Sequence, residues 1–171
     1  MSKLERSMPG MHPTLANWFA GTFGSPTDVQ RRSWEAISSG SHTLIAAPTG
    51  SGKTLAALLP CLNRLLTDKE TEASEKGVSI LYVTPLKALN NDIHHHVLGF
   101  VEELERAAAD TGLRWPGIRS AVRTGDTKPA ERAAMLRRPP HVLVTTPESL
   151  YLLLTSERGR HVLRTVRQVI V

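Results

Sequence analysis

The sequence predicts an α/β domain built on a mostly parallel sheet with helices on both faces. Three observations carry this. Short β-rich apolar runs recur along the chain, and residues 78–84 (Val-Ser-Ile-Leu-Tyr-Val-Thr) form a near-continuous one, the pattern of a strand covered on both faces. Helix-like stretches alternate with these runs instead of clustering, which favours parallel strands joined by helical crossovers. A glycine-rich segment, 47–54, sits between a strand-like run and a helix-like one.

The elements follow in order. Residues 13–22 are helical, and Phe23-Gly24-Ser25-Pro26 makes a turn. Residues 27–38 read as a second helix and the apolar run 42–47 as a short strand. Residues 48–52 form a loop, followed by a helix over 53–66 with Pro60 as a kink. The polar stretch 67–76 reads as a surface loop. After the 78–84 strand come a long or broken helix over 86–109, a strand at 118–123, a helix at 128–137, a strand at 141–146 and a helix at 147–154. Residues 166–171 are a last strand-like run.

A length of 171 residues suits about one domain, with a core large enough to fold without a metal or disulfide. Residues 1–12 are expected to be a tail and 13–171 the domain. Hydrophobic residues at 40% and charged ones at 22% exclude wholesale disorder. A net charge of +5 permits an anionic partner without requiring one. The single cysteine, Cys61, excludes an intrachain disulfide framework and a cysteine zinc cluster, and its place among leucines predicts a buried, inert thiol. No apolar signal segment opens the chain, and the longest nearly apolar run, 55–62, is far short of a membrane span. A soluble, cytoplasmic protein with no membrane contact is the expectation.

The strongest chemical signal is Ala47-Pro48-Thr49-Gly50-Ser51-Gly52-Lys53-Thr54, placed after a strand-like run and at the start of a helix. Glycines let successive backbone N–H groups turn inward onto phosphate oxygens, and the helix N-terminus adds partial positive charge. Thr49, Gly50, Ser51 and Gly52 would cradle the phosphates. Lys53 would reach the β- and γ-phosphates, and the Thr54 hydroxyl would ligate a bridging Mg²⁺. The alternative is a glycine-rich turn before a helix with Lys53 solvated. The local order of strand, loop and helix argues against it.

Further segments are weak singly. Thr27 and Gln30 spell a capping box, so they have a purely structural reading. Thr84-Pro85-Leu86-Lys87-Ala88-Leu89 and Thr145-Thr146-Pro147-Glu148-Ser149-Leu150 each place Thr before Pro, as at a helix start. Arg123-Thr124-Gly125-Asp126-Thr127 could be an ordinary turn. Taken together and in this order, they resemble the first motor domain of superfamily 2 helicases, the DEAD/DEAH-box group. The match covers roughly residues 11–171, and its wording is most similar to the large helicase-related proteins of bacteria and archaea. Ala47 at the head of the loop is usual in that group.

The resemblance implies a RecA-like P-loop NTPase fold, with ATP and Mg²⁺ as cofactors and single-stranded nucleic acid as partner, DNA favoured over RNA. It implies that Gln30 reads the adenine edge. It implies that Pro85, Leu86 and Lys87, Gly125 and Asp126, and Thr146, Pro147 and Glu148 line the strand. It assigns no adenine-stacking aromatic; Met11-His12-Pro13, Trp18 and Phe19 lie in the stretch concerned. The family's acidic motif, which would follow 166–171, and the second RecA-like domain with its arginine fingers are not in this sequence, and no Asp-Glu pair occurs in it. The expectation is a chain that binds nucleotide and scarcely hydrolyses it. Two rivals stand beside the helicase reading. One is another P-loop enzyme such as a small-molecule kinase, for which no arginine-rich lid is found. The other is a module that binds without turnover. His94-His95-His96 fans over about 200° of helix and is expected to be a solvated face, not a metal site.

Overall fold

The structure, a computed structural model, describes residues 8, 10–71, 77–85, 90–112 and 115–171, without the side chains of 68–71 and 90–95. The chain divides into two compact units, Met1–Glu72 with Arg106–Pro116, and Ala73–Glu105 with Gly117–Val171.

The first unit holds three helices, α1 (Pro13–Phe23), α2 (Asp28–Ser38) and α3 (Lys53–Thr71). α1 starts with proline at its first turn, and the His12 side chain accepts from Thr14 N–H. The residues flanking that start are tied down: His12 N–H donates to Asn63 Oδ1 at 2.6 Å, and Asn63 Nδ2 donates to the Gly10 carbonyl at 3.0 Å. Leu15, Phe19, Trp34, Leu58 and Leu59 are buried, and the Trp34 indole N–H donates to the Leu55 carbonyl. Phe19 meets Trp34 edge-on with centroids 5.2 Å apart, and Trp18 meets Phe23 likewise at 5.6 Å. Trp18 and Phe19 are therefore core residues joining α1 to its surroundings.

α3 continues past Pro60 and on to Thr71, five residues beyond the expected end. The predicted loop 67–76 is thus helical over its first part, and 72–76 lie outside the described residues. Cys61 is buried on this helix and its thiol donates to the Ala57 carbonyl. Burial pushes the thiol up to about 12, against a smaller opposing effect of the Arg64 charge. We predict that a small alkylating reagent at pH 8 modifies Cys61 in the native protein far more slowly than in the unfolded chain. Equal rates would place the thiol at the surface.

One expectation fails here. Residues 42–47 are not a strand: they carry no ladder, and Leu44 is 94% exposed. A β-run becomes a strand only when a neighbour accepts its backbone groups, and among the described residues this segment has none.

The second unit carries a four-stranded, wholly parallel sheet of β1 (Ile80–Val83), β2 (Ser120–Arg123), β3 (Val142–Thr145) and β4 (Gln168–Ile170), in the order β2-β3-β1-β4. The helices are α5 (Pro129–Arg137), α6 (Pro147–Thr155), α7 (Glu157–Leu163) and most of α4 (Asn90–Asp110), whose residues from Arg106 on belong to the first unit. Residues 86–89 of the predicted long helix lie outside the described residues. The short helix α7 was not expected from the sequence. Val78, Leu81, Val83, Leu143 and Leu153 form a buried cluster, and Met135, Leu150 and Val166 pack on it. β1 and β3 are buried at every position, as their unbroken apolar runs predict. Val83, Thr145 and Arg123 stand side by side in register, so three strands end at one level.

Candidate functional site

The glycine-rich loop is built by its own sequence. Gly50 and Gly52 have φ of 77° and 84°, a region that costs other residues strain. Ser51 N–H and its hydroxyl both bond the Pro48 carbonyl, the hydroxyl at 2.8 Å. Helix α3 then begins at Lys53, and Ala56 N–H closes its first turn onto the Gly52 carbonyl at 2.9 Å. The Lys53 ammonium folds back over the loop and donates to the Ala47 and Pro48 carbonyls, each at 2.6 Å. A concentrated positive charge therefore sits in the concavity of the loop, beside the N–H groups that open α3. Thr49 and Gly50 are exposed; Ser51, Gly52 and Thr54 are half-buried.

Helix α2 clamps this loop from one side. Thr27 and Gln30 form the full capping box: Gln30 N–H donates to Thr27 Oγ1 at 3.3 Å, and Thr27 N–H donates to Gln30 Oε1 at 2.9 Å. The same two side chains reach the loop. Thr27 Oγ1 donates to the Ser51 carbonyl at 3.3 Å and Gln30 Nε2 to the Gly52 carbonyl at 3.4 Å. Gln30 is buried. Its amide retains a second N–H and a second lone pair for a ligand. The structural role and a binding role are therefore compatible in one residue.

The Gln30→Ala variant should consequently do two things at once. Losing the Gln30 arm of the capping box costs about 1 kcal/mol of stability, seen as a lowered Tm. Losing the amide narrows the preference for ATP over GTP. A lowered Tm with unchanged base preference leaves Gln30 with capping alone.

In the second unit, the described ones among the other predicted residues lie where parallel strands end. Open α/β sheets bind ligands outside these carboxyl ends. Thr84 follows β1, and its N–H donates to the Thr145 carbonyl at 3.0 Å. Pro85 beyond it is exposed, and Leu86 and Lys87 lie outside the described residues. After β2, Gly125 and Asp126 are exposed in a turn fastened by Thr124 N–H to Thr127 Oγ1 at 2.9 Å. After β3, Thr146 is fully buried and caps α6 by accepting from Ser149 N–H, while Pro147 and Glu148 stand exposed. Thr145 Oγ1 donates to the Arg123 carbonyl at 2.8 Å, joining the ends of β3 and β2.

Two arginines to which the sequence assigned no role stand at this edge. Arg132, on α5, donates through Nε to the Thr127 carbonyl at 2.6 Å and through Nη2 to the Gly125 carbonyl, pinning the turn. Arg123 is buried and its Nη1 has no hydrogen-bond partner among the described residues. Burial, and then the charge of Arg132, push its guanidinium below the ordinary arginine value. Arg132→Ala should free the turn, read as faster amide hydrogen exchange at Gly125 to Thr127. Unchanged exchange would show that the turn holds itself.

His96 is exposed and stacks on Phe100, with ring centroids 6.2 Å apart. The side chains of His94 and His95 lie outside the described residues. Among the described residues there is no cluster of three or more possible metal ligands, and no described helix is long and apolar enough to cross a membrane.

A glycine loop opening a helix in one unit and a parallel sheet with loops at its carboxyl edge in the other define a P-loop NTPase of the RecA-like class. The family model of the DEAD/DEAH box helicase matches residues 27–171, and the chain belongs to that family. It is 49% identical over 154 residues to a Lhr helicase/probable uracil glycosylase of Mycolicibacterium smegmatis, covering 90% of this chain and 10% of that protein. It is 44% identical over 161 residues to an ATP-dependent helicase Lhr-Core of Methanothermobacter thermautotrophicus, covering 94% of this chain and 19% of that one. Among solved structures, Mycobacterium smegmatis helicase Lhr bound to ssDNA and AMP-PNP superposes with a TM-score of 0.83 at 44% identity, over 95% of this chain and 20% of that one. The DEAD-box helicase Mss116, solved with ssRNA and UDP-BeF, shares the fold alone, with a TM-score of 0.77 at 22% identity over 99% of this chain and 33% of that one. The chain thus spans about a tenth to a fifth of the length of its Lhr relatives.

Proposed function

We propose that this chain is the ATP-binding motor domain of a cytoplasmic helicase that couples ATP hydrolysis to movement along single-stranded nucleic acid, DNA in preference to RNA. The observation that carries the reading is the loop of residues 47–54: two glycines at positive φ, Lys53 curled onto the loop carbonyls, and helix α2 clamping it through Thr27 and Gln30. The same arrangement fits ATP with Mg²⁺. A cation already rests on two carbonyls that a phosphate would relieve, and small residues leave the backbone open to close approach.

In this reading Thr49, Gly50, Ser51 and Gly52 hold phosphate oxygens through backbone N–H groups, and Lys53 balances their charge. Thr54 offers its hydroxyl to the metal, and Gln30 selects adenine. Bound Mg²⁺ supplies neutralisation of charge between the phosphates. Pro85, Gly125, Asp126, Thr146, Pro147 and Glu148, at the carboxyl edge, form the strand track together with Leu86 and Lys87. They contact backbone, so they are indifferent to base sequence. Support for DNA comes from the ssDNA bound to the Mycobacterium smegmatis helicase Lhr, with which this chain shares 44% identity.

A second reading, a module that binds without turnover, is favoured for these 171 residues by one observation: no Asp-Glu pair occurs in the sequence. Fluorescence anisotropy with a single-stranded oligonucleotide and an ATPase assay test both readings together. We expect weak, sequence-indifferent binding that falls as salt rises, because bound phosphates release counterions. We expect hydrolysis at background even with saturating strand. Absence of strand binding removes the motor reading. Strand-stimulated hydrolysis by this chain would show that Asp126 or Glu148 serves where the acidic pair was expected.

A further inference from the structure

The positive charge of this chain is not spread evenly. Residues 117–171 hold ten Lys and Arg against four Asp and Glu, a balance of +6, while the whole chain has only +5. Nine of those ten cations are arginine. The strand track accounts for few of them. Four instead line one groove of about 940 Å³ between α5 and α7: Arg137, Arg158, Arg160 and Arg164, over a floor that includes Leu136, with Glu157 as its single carboxylate. All four arginines are exposed.

The topology puts this groove at the amino end of the sheet. α5 leaves the carboxyl end of β2 and delivers the chain to the start of β3, so Arg137 lies at the amino side. Val78, two residues before β1, donates its N–H to the Val162 carbonyl of α7 at 3.0 Å, and the Thr165 hydroxyl donates to the Val78 carbonyl at 2.9 Å. The four-residue strands span about 13 Å, and that length separates the groove from the proposed track at the other edge.

Among the described residues, no carboxylate forms an ion pair with any of the four arginines. The Arg160 guanidinium donates to the Leu154 carbonyl at 3.1 Å. Like charges gathered on two helices repel one another. Nearby, Arg119 and Arg138 extend the same edge; burial, and then the Arg138 charge, lower the Arg119 guanidinium's affinity for its proton. Guanidinium pairs phosphate through two parallel N–H bonds, and four arginines in one groove match the successive phosphates of a strand.

We propose that the groove of Arg137, Arg158, Arg160 and Arg164 is a second nucleic-acid backbone site, on the opposite edge of the sheet from the track. It takes the phosphates of a strand too long for the track alone. This extends the reading of the domain as strand-binding, and the test separates the two.

The test is anisotropy with the full 171-residue chain, an oligo-dT of roughly eight nucleotides and one of roughly thirty. The variant is Arg137→Gln/Arg158→Gln/Arg164→Gln, which spares Arg160 and its bond to Leu154. We expect the short strand to bind wild type and variant alike. We expect the long strand to bind the variant about tenfold more weakly, with its slope of log affinity against log salt reduced by about 2, since three phosphate contacts are lost. Circular dichroism confirms that the variant is folded; if it is not, Arg158→Gln/Arg164→Gln replaces it, with a slope change of about 1.4. Equal affinity and equal slope for the long strand overturn the proposal. So does binding of a poly-glutamate peptide that the variant abolishes while the long strand is unaffected, which would make the groove a site for an acidic protein. Failure of the short strand to bind at all, with the long strand still dependent on these arginines, would remove the track and leave the groove.

Discussion

Replacing Gly52 with alanine should abolish nucleotide binding and destabilise the protein by about 2–4 kcal/mol. Two causes add. The residue sits at φ 84°, where a side chain costs about 1 kcal/mol or more. An added Cβ would also collide with Nε2 of Gln30 and lie 3.2 Å from its Cδ. Gln30 cannot simply step aside, because its amide is buried, holds the Thr27 N–H and donates to the Gly52 carbonyl. Relieving the collision therefore breaks the capping box and the loop clamp together. Chemical denaturation measures the stability loss, and titration with a labelled ATP analogue measures the binding. Gly50→Ala is the control: its φ is 77°, but open space surrounds it, so it should lose only the strain component. Equal losses at the two positions would show that the contact with Gln30 is immaterial.

Lys53→Ala should weaken ATP by at least about 1–3 kcal/mol, roughly a five- to 150-fold rise in Kd, while leaving the fold intact. The lysine is partly exposed and makes no contact that the core depends on; its two partners are the Ala47 and Pro48 carbonyls of the loop itself. Its removal takes a full positive charge out of the concavity and leaves those carbonyls facing an incoming phosphate. The loss should be larger for triphosphate than for AMP, since AMP lacks the β- and γ-phosphates. An equal loss for both nucleotides would mean that Lys53 acts on the loop's shape and not on the phosphates.

The loop and its clamp were legible because the forces that shape them are local. Glycine at positive φ, a Thr-x-x-Gln box and a helix beginning at Lys53 are all written within residues 27–54. β1 and β3 were legible because four consecutive buried positions leave an unbroken apolar run. Residues 42–47 show the limit of such reasoning. Thr-Leu-Ile-Ala-Ala has strand composition, yet strand formation is a property of a pair, and a single sequence does not reveal whether a partner is present. α7 was overlooked because its seven residues are mostly charged or polar. Its start is nonetheless marked, by Ser156 accepting from Gly159 N–H with Glu157 in the first turn. Arg132 escaped for a different reason: an arginine on an exposed helix reads as solvated until the crossover brings it back to Gly125.

The central claim, that residues 47–54 together with Gln30 form an adenine-nucleotide site, is tested most directly by calorimetric titration of the 171-residue chain with a non-hydrolysable ATP analogue, with and without Mg²⁺, alongside the corresponding guanine nucleotide. One saturable site per chain, tightened by Mg²⁺ and selective for adenine, is the predicted result. No saturable binding under any of these conditions, or binding indifferent to both the metal and the base, would contradict it.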